Sequence, residues 1–171
     1  MILTRLINRV KAPLPAADRR MEYIAGIMLA VLLILTAVFY AVAPAQVPIH
    51  FNFNGIADGW SEKIFYWQAA IVFVIFMAVI FVTAYFPEYT IRIPVYRRRL
   101  TEHQKHLAGR MYRVLNVSLA ILWIVIQLSA SSEFLGIGST VLACILFVTV
   151  AIIVLPMLYF TIKIFLIHLD K

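Results

Sequence analysis

The stretch YIAGIMLAVLLILTAVFYAVA, from Tyr23 to Ala43, carries no charged side chain. A helix needs about 20 apolar residues to cross the hydrocarbon core of a bilayer, so this stretch is long enough to span a membrane. Three more largely apolar runs follow at about 67–86, 112–130 and 137–166. The chain is 64% hydrophobic and 13% charged, which excludes an ordinary soluble domain. We therefore predict an all-α integral membrane protein with four transmembrane helices.

The first run ends at Ala43-Pro44-Ala45, which loosely resembles a signal-peptide cleavage site. The apolar region of a signal peptide has only about 7–15 residues, and this run is longer. We therefore expect it to be retained as the first span, at about 23–43.

Basic residues are distributed very unevenly between the segments that join these runs. Five lie before the first run, seven in the loop between the second and third runs and its flanks, and two at the C-terminal end, whereas Lys63 is the only one between the first and second. Lys and Arg are enriched in cytoplasmic loops. The distribution predicts that both termini are inside and that the loop at 44–66 faces outward.

The basic residues also bear on the partners of the chain. The net charge of +7 comes from residues that flank apolar runs, which indicates membrane topology and contact with lipid rather than nucleic-acid binding. We predict a basic interfacial segment at 1–22 and a single domain at 23–171, with Asp18 capping the first span. In the inner loop, an amphipathic segment is expected to bind lipid headgroups through Arg97, Arg98, Arg99 and Lys105.

The outward loop has the richest chemistry in the chain. Its segment VPIHFNFNGIADGWSEK, residues 47–63, alternates apolar and polar residues from Ile49, which indicates an extended strand. Asn54-Gly55 and Asp58-Gly59 are turn signals. We predict an ordered hairpin-like flap, with its Ile and Phe face resting on the bilayer or the helix ends. Ser61 is expected to cap the next helix.

Several roles remain open for the polar residues of this loop. The first is structural, in turns, caps and interface anchoring. The second is recognition of a ligand or partner. His50, Asp58 and Glu62 are also three possible metal ligands, although their spacing matches no known metal motif. His50 and Asp58 together could form a hydrolytic acid–base pair, for which only Ser61 stands nearby as a nucleophile. We expect no metal and no cofactor.

The loop carries the pattern Pro-x-His-Phe-Asn-x-x-Gly-x-x-Asp-Gly-Trp-x-x-Lys. This pattern resembles the signature of a bacterial membrane domain of unknown function, number 1648, which is also the N-terminal module of the SdpI-like immunity proteins. The resemblance covers the loop and its two flanking spans, about 23–86. SdpI-like proteins carry further spans with a second motif that is not found here. The residues matched are Pro48, His50, Phe51, Asn52, Gly55, Asp58, Gly59, Trp60 and Lys63.

The resemblance implies an integral protein of the bacterial cytoplasmic membrane whose outer loop is its functional surface. We expect a non-enzymatic protein in which the nine matched residues bind a secreted peptide, another external ligand or a protein partner in the membrane. One alternative is an accessory subunit of a larger membrane complex, in which the loop is an assembly surface. A second alternative is a small membrane-surface enzyme.

Overall fold

The computed structural model describes residues 2–11, 13–52, 56–91, 100–136 and 139–167 of the chain. Its described part contains six helices, one short 3-10 turn and one two-stranded hairpin. The elements in chain order are α1 (Ile2–Lys11), α2 (Ala16–Val42), β1 (Gln46–Phe51), β2 (Ala57–Glu62), α3 (Phe65–Tyr85), the 3-10 turn Pro87–Tyr89, α4 (Glu102–Ala130), α5 (Ser132–Leu135) and α6 (Ser139–Leu166).

The predicted fold class is confirmed, because α2, α3, α4 and α6 are each long and apolar enough to cross a membrane. Two of the four extend beyond the apolar runs seen in the sequence. α2 begins at Ala16 rather than near Tyr23, and α4 begins at Glu102 rather than near Tyr112. Both extensions are polar, so hydropathy alone does not detect them. The orientation of the helices in the membrane and the division of the chain at residue 22 stay predictions.

Helix α4 is the centre of the bundle, since α2, α3 and α6 all pack against it. The middle of the bundle is a cluster in which Trp123 of α4 is almost completely buried against α2 and α3. The other buried members of this cluster are Leu32, Ala70, Met77 and Ala120. Helix α6 packs mainly on α4, which leaves most of its apolar surface exposed.

In the apolar part of α4, one polar side chain bridges to α2. Gln127, fully buried, donates a hydrogen bond from Nε2 to Oγ1 of Thr36 on α2. Ser118 and Ser129 instead donate to carbonyl oxygens one turn back in α4. A hydrogen bond between helices ties them together where lipid provides no other polar partner. The Gln127–Thr36 bond therefore links α2 to α4 near the end of the bundle that carries the hairpin, called here the hairpin end.

The opposite end of the bundle, called here the charged end, is held by ion pairs. Asp18 does not cap α2, because the residue before the helix is Pro15 and no side chain caps it. Asp18 is only 1% exposed. Its Oδ1 accepts a 2.6 Å hydrogen bond from Nε of Arg110, and its Oδ2 lies 3.2 Å from Nε2 of His106. Burial of a carboxylate costs desolvation energy unless the charge is paired, and Arg110 and His106 of α4 provide that pairing for Asp18.

A second pair lies one helical turn further along both helices. Nε of Arg113, which is 6% exposed, donates a 2.8 Å hydrogen bond to Glu22. The hydroxyl of Tyr85 at the end of α3 donates to the same carboxylate oxygen at 2.7 Å. Gly109 allows this close approach, because a Cβ there would lie 2.8 Å from the carbonyl oxygen of Ala84. The charged end therefore joins α2, α3 and α4 in one network.

Helix α1 is attached to this end through Arg9. Its guanidinium donates a 2.6 Å hydrogen bond to the carbonyl of Tyr85 and forms a 2.7 Å ion pair with Glu88. It also lies over the ring of Phe86, 4.6 Å from the ring centroid. These contacts place the C-terminal half of α1 against the end of α3. Placement of α1 in the lipid headgroup layer remains a prediction.

We expect Asp18→Asn to destabilise the bundle by about 1–3 kcal/mol, since it leaves Arg110 without its buried charge partner. The measurement is the thermal unfolding midpoint in mild detergent. Glu102→Gln is the matched control, because it neutralises a carboxylate that pairs with Lys105 at 2.7 Å but is 90% exposed. Equal midpoints for the two variants would show that the buried pair contributes no more than a surface pair.

The attachment of α1 should depend on pH through Glu88. Burial by itself would raise the pKa of this carboxyl, but the hydrogen bond and charge of Arg9 lower the pKa below its ordinary value of 4.5. A lowered pKa contributes stability that is present above 4.5 and is lost as the pH falls through the lowered value.

Protection factors from hydrogen exchange of residues 2–11, measured between pH 6 and pH 3, would report this loss. Protection should fall in the acidic part of this range for the native chain. In Glu88→Gln it should be low at every pH. Protection that is the same in both proteins at pH 6 would contradict the role of the ion pair.

Candidate functional site

The hairpin between α2 and α3 is the only β structure in the described part of the chain. Strands β1 and β2 pair antiparallel from Gln46 opposite Glu62 to Phe51 opposite Ala57. A 3.0 Å hydrogen bond from the amide of Lys63 to the carbonyl of Ala45 extends the ladder toward the helices. A two-stranded ribbon is marginally stable by itself in water, so its support must come from the bundle.

That support comes from Val47, which is fully buried. It lies in an apolar cluster with residues from the ends of α2, α3 and α4, namely Phe39, Ala43, Tyr66 and Ala130. The sequence pattern predicts that the Ile and Phe face of the strand rests on the bilayer or on the helix ends. Within the protein, however, Ile49 is 43% exposed and Phe51 only half-buried. The hairpin is therefore anchored at its base, close to the helices.

Two β-bulges interrupt the alternation of the two strands. Pro48 pairs with Trp60 and His50 pairs with Gly59, so Ile49 has no partner on β2. Phe51 then pairs with Ala57, which leaves Asp58 as the extra residue on β2. A bulge bends a strand and changes the direction of the neighbouring side chains. The second bulge is located where Asp58 reaches back to His50.

His50 and Asp58 form a hydrogen-bonded pair on the surface of the hairpin. Nδ1 of His50 donates to Oδ1 of Asp58, and the two side chains are 72% and 44% exposed. Exposed ion pairs typically contribute about 0–1 kcal/mol, so the contribution of this pair to folding is small. The bond orients the imidazole ring and leaves Nε2 as its remaining hydrogen-bonding group.

Gly59 is needed for this arrangement. A Cβ at residue 59 would lie 2.8 Å from the Cβ of His50, which is directly opposite on β1. Both atoms are attached to the backbone, so no side-chain rotation relieves the clash. The Asp58-Gly59 pair, predicted as a turn, lies inside strand β2 instead.

The tip of the hairpin is closed by Asn52. Its amide donates to the carbonyl of Ile56 at 2.9 Å, and its Oδ1 accepts from the amide of Ile56 at 3.0 Å. This matches the use of Asn side chains in turns. The predicted Asn54-Gly55 turn lies outside the described residues.

Strand β2 presents one exposed face, since its residues alternate between half-buried and exposed positions. Asp58, Trp60 and Glu62 are the exposed ones, and the Trp60 side chain is 48% exposed. Ser61 points to the other face and does not cap α3, whose preceding residue is Ile64. It is therefore directed away from Asp58 and is not placed to act as a nucleophile activated by the His50–Asp58 pair.

The remaining predicted site residues are distributed as follows. Pro48 is buried opposite Trp60, and Lys63 lies over the ring of Tyr40 at 5.0 Å from the ring centroid. At the charged end, Lys105 forms its ion pair with Glu102. Arg97, Arg98, Arg99 and Gly55 lie outside the described residues. Within the described ranges, no group of three or more His, Cys, Asp and Glu side chains is placed to hold a metal ion.

Sequence reasoning missed a second polar region, an open cavity of about 490 Å³ at the charged end. Its wall includes both members of the Arg9–Glu88 pair and the buried Asp18. One signal was available: Asp18 and Glu22 are four apart, and Arg110 and Arg113 are three apart. Each pair therefore lies on one face of its helix.

Residues 27–77 match the family model described as Domain of unknown function (DUF1648). The match extends over most of α2, the whole hairpin and the first part of α3. It confirms the resemblance to this domain that the loop motif predicts, over 51 of the 171 residues. No curated protein and no solved structure matches the chain significantly. The link to SdpI-like proteins stays a prediction.

We expect Gly59→Ala to disorder the hairpin while leaving the helices intact, because the added methyl group forces β1 and β2 apart. The measurement is amide protection of residues 46–51 and 57–62, with helical circular dichroism recorded alongside. Gly26→Ala is the control, since a Cβ at residue 26 meets nothing within 4 Å. Unchanged protection in Gly59→Ala would show that the strands accommodate the methyl group.

Proposed function

We propose that the hairpin is an outward-facing recognition surface for a ligand or protein partner, on a non-enzymatic protein of the bacterial cytoplasmic membrane. The observation that carries the proposal is the exposed His50–Asp58 pair beside the exposed ring of Trp60. These side chains are held by a hairpin that is anchored by the fully buried Val47, yet they contribute little to the core. An ordered polar and aromatic surface of this kind is typical of binding sites.

The outward orientation rests on charge. Arg9, Arg110 and Arg113 are all at the charged end, and the hairpin is at the opposite end of the same helices. Basic residues favour the cytoplasmic side, so the hairpin would meet ligands arriving from outside. The match to a domain that includes the hairpin supports the idea that this loop is the functional element. An immunity or signalling role like that of the SdpI-like proteins is the finer form of the proposal.

Two alternatives compete with ligand recognition. In an accessory subunit of a membrane complex, the hairpin and the exposed side of α6 would both be assembly surfaces; the peripheral position of α6 is compatible with this. In a surface enzyme, the His50–Asp58 pair would be an acid–base pair. The direction of Ser61 on the opposite face of β2 removes the nearest nucleophile and disfavours the enzyme.

The first experiment is purification from native membranes in mild detergent, with mass spectrometry of the intact complex. We expect a partner on the native chain that is lost from the His50→Ala/Asp58→Ala variant. The control is Glu102→Ala/His103→Ala, which likewise removes one carboxylate and one imidazole, here from two exposed positions at the charged end.

Each result has a defined meaning for the proposal. A partner lost only from the hairpin variant supports recognition by the hairpin. A partner retained by both variants would place the contact on the helices or the charged end and would contradict the proposal. Hydrolytic activity that is present in the native chain and absent from His50→Ala alone would favour the enzyme instead.

A further inference from the structure

The backbone of β2 has an open edge, and the register identifies which residues present it. The bond from the amide of Lys63 to the carbonyl of Ala45 makes these two residues a hydrogen-bonded pair. Such pairs alternate with non-hydrogen-bonded pairs along an antiparallel ladder. Trp60 and Glu62, opposite Pro48 and Gln46, are therefore in non-hydrogen-bonded pairs. Their N–H and C=O groups point away from β1.

These outward groups have no backbone partner in the described chain, because the sheet consists of β1 and β2 alone. The outer edge of β1 is less suited to pairing, since Pro48 has no N–H to offer at the equivalent position. Strand β2 contains no proline. An unpaired edge of this kind is a template for an extended peptide, which adds as a further strand.

The exposed face of the same strand indicates the charge of that peptide. Asp58, Trp60 and Glu62 form an acidic–aromatic–acidic stripe along β2, all three of them exposed. Carboxylates pair with Lys and Arg, and the face of a Trp ring attracts the same cations. Trp60 and Glu62 are two residues apart, about 6.6–6.8 Å along a strand, and Asp58 follows beyond Trp60 at the second bulge. Basic residues at every second position of an extended peptide have the same spacing.

We propose that the outer edge of β2 binds a basic, extended peptide as a third strand, with its Lys or Arg side chains over Asp58, Trp60 and Glu62. This inference rests on the proposed function and specifies its ligand class and its mode of binding. Backbone hydrogen bonds to Trp60 and Glu62 supply the pairing. The acidic–aromatic–acidic stripe supplies the preference for positive charge.

The probe is a fluorescent nine-residue peptide of alternating Lys and Val, added to the full chain in nanodiscs of neutral phosphatidylcholine. Binding is measured by anisotropy. Two further peptides carry N-methyl groups on all the Lys amides or on all the Val amides. In a strand, alternate amides face the neighbouring strand. Strand addition therefore predicts that one methylated peptide loses binding at least tenfold and that the other binds like the parent.

Two substitutions of Glu62 separate the contribution of its backbone N–H to peptide binding from that of its carboxylate charge. Glu62→Gln removes only the carboxylate, and we expect binding to weaken by about two- to five-fold, as for loss of an exposed ion pair. Glu62→Pro also removes the outward N–H, and we expect a further loss of at least tenfold. Amide protection of β1 shows whether the hairpin is intact in each variant. Glu102→Gln, at the charged end, should bind like the native chain.

The inference is overturned if both methylated peptides bind equally, or if Glu62→Pro with an intact hairpin binds like Glu62→Gln. Equal binding of an alternating Glu and Val peptide would overturn the preference for a basic ligand. These failures leave the proposed function standing if the native partner is still lost from His50→Ala/Asp58→Ala. Retention of that partner would overturn the proposed function itself.

Discussion

The buried pairing of acidic residues on α2 with bases on α4 fixes how these helices are aligned. Lipid is as apolar as the helix surfaces, so burial of apolar area does little to choose one alignment over another. Two ion pairs fix the alignment at the charged end, Asp18 with Arg110 and Glu22 with Arg113. Near the hairpin end, the alignment is fixed by the hydrogen bond between Gln127 and Thr36. Polar contacts at both ends of α2 and α4 leave the two helices little freedom to slide.

The position of the hairpin follows from that alignment. β1 and β2 are joined directly to α2 and α3, and the buried Val47 enters the space between the ends of α2, α3 and α4. The hydroxyl of Tyr66 on α3, 2.8 Å from Oγ of Ser131 after α4, closes the same end. The hairpin is thus ordered from its base. Its outer part is free to present His50, Asp58 and Trp60 without these side chains being needed for folding.

Particular residues show why part of this arrangement could be predicted and part could not. Thr101 and Gln104 form a capping box at the start of α4, with the spacing that the sequence rule requires, so this helix start was available from sequence. Ser61 also looked like a cap, but it is paired opposite Val47 in the ladder. The two bulges have no local signal, because an extra residue is recognised only against its partner strand.

The sequence by itself determined the four membrane-length helices and the match of residues 27–77 to a domain of unknown function, because apolar length and a contiguous motif are properties of the chain alone. It also marked His50 and Asp58 as neighbours in a hairpin. Only the tertiary structure decided that Val47 is the anchor, that Asp58 bulges toward His50 and that Asp18 is buried against α4. Each of these depends on which segments meet in space, and hydropathy and periodicity along one segment contain no information about its partner.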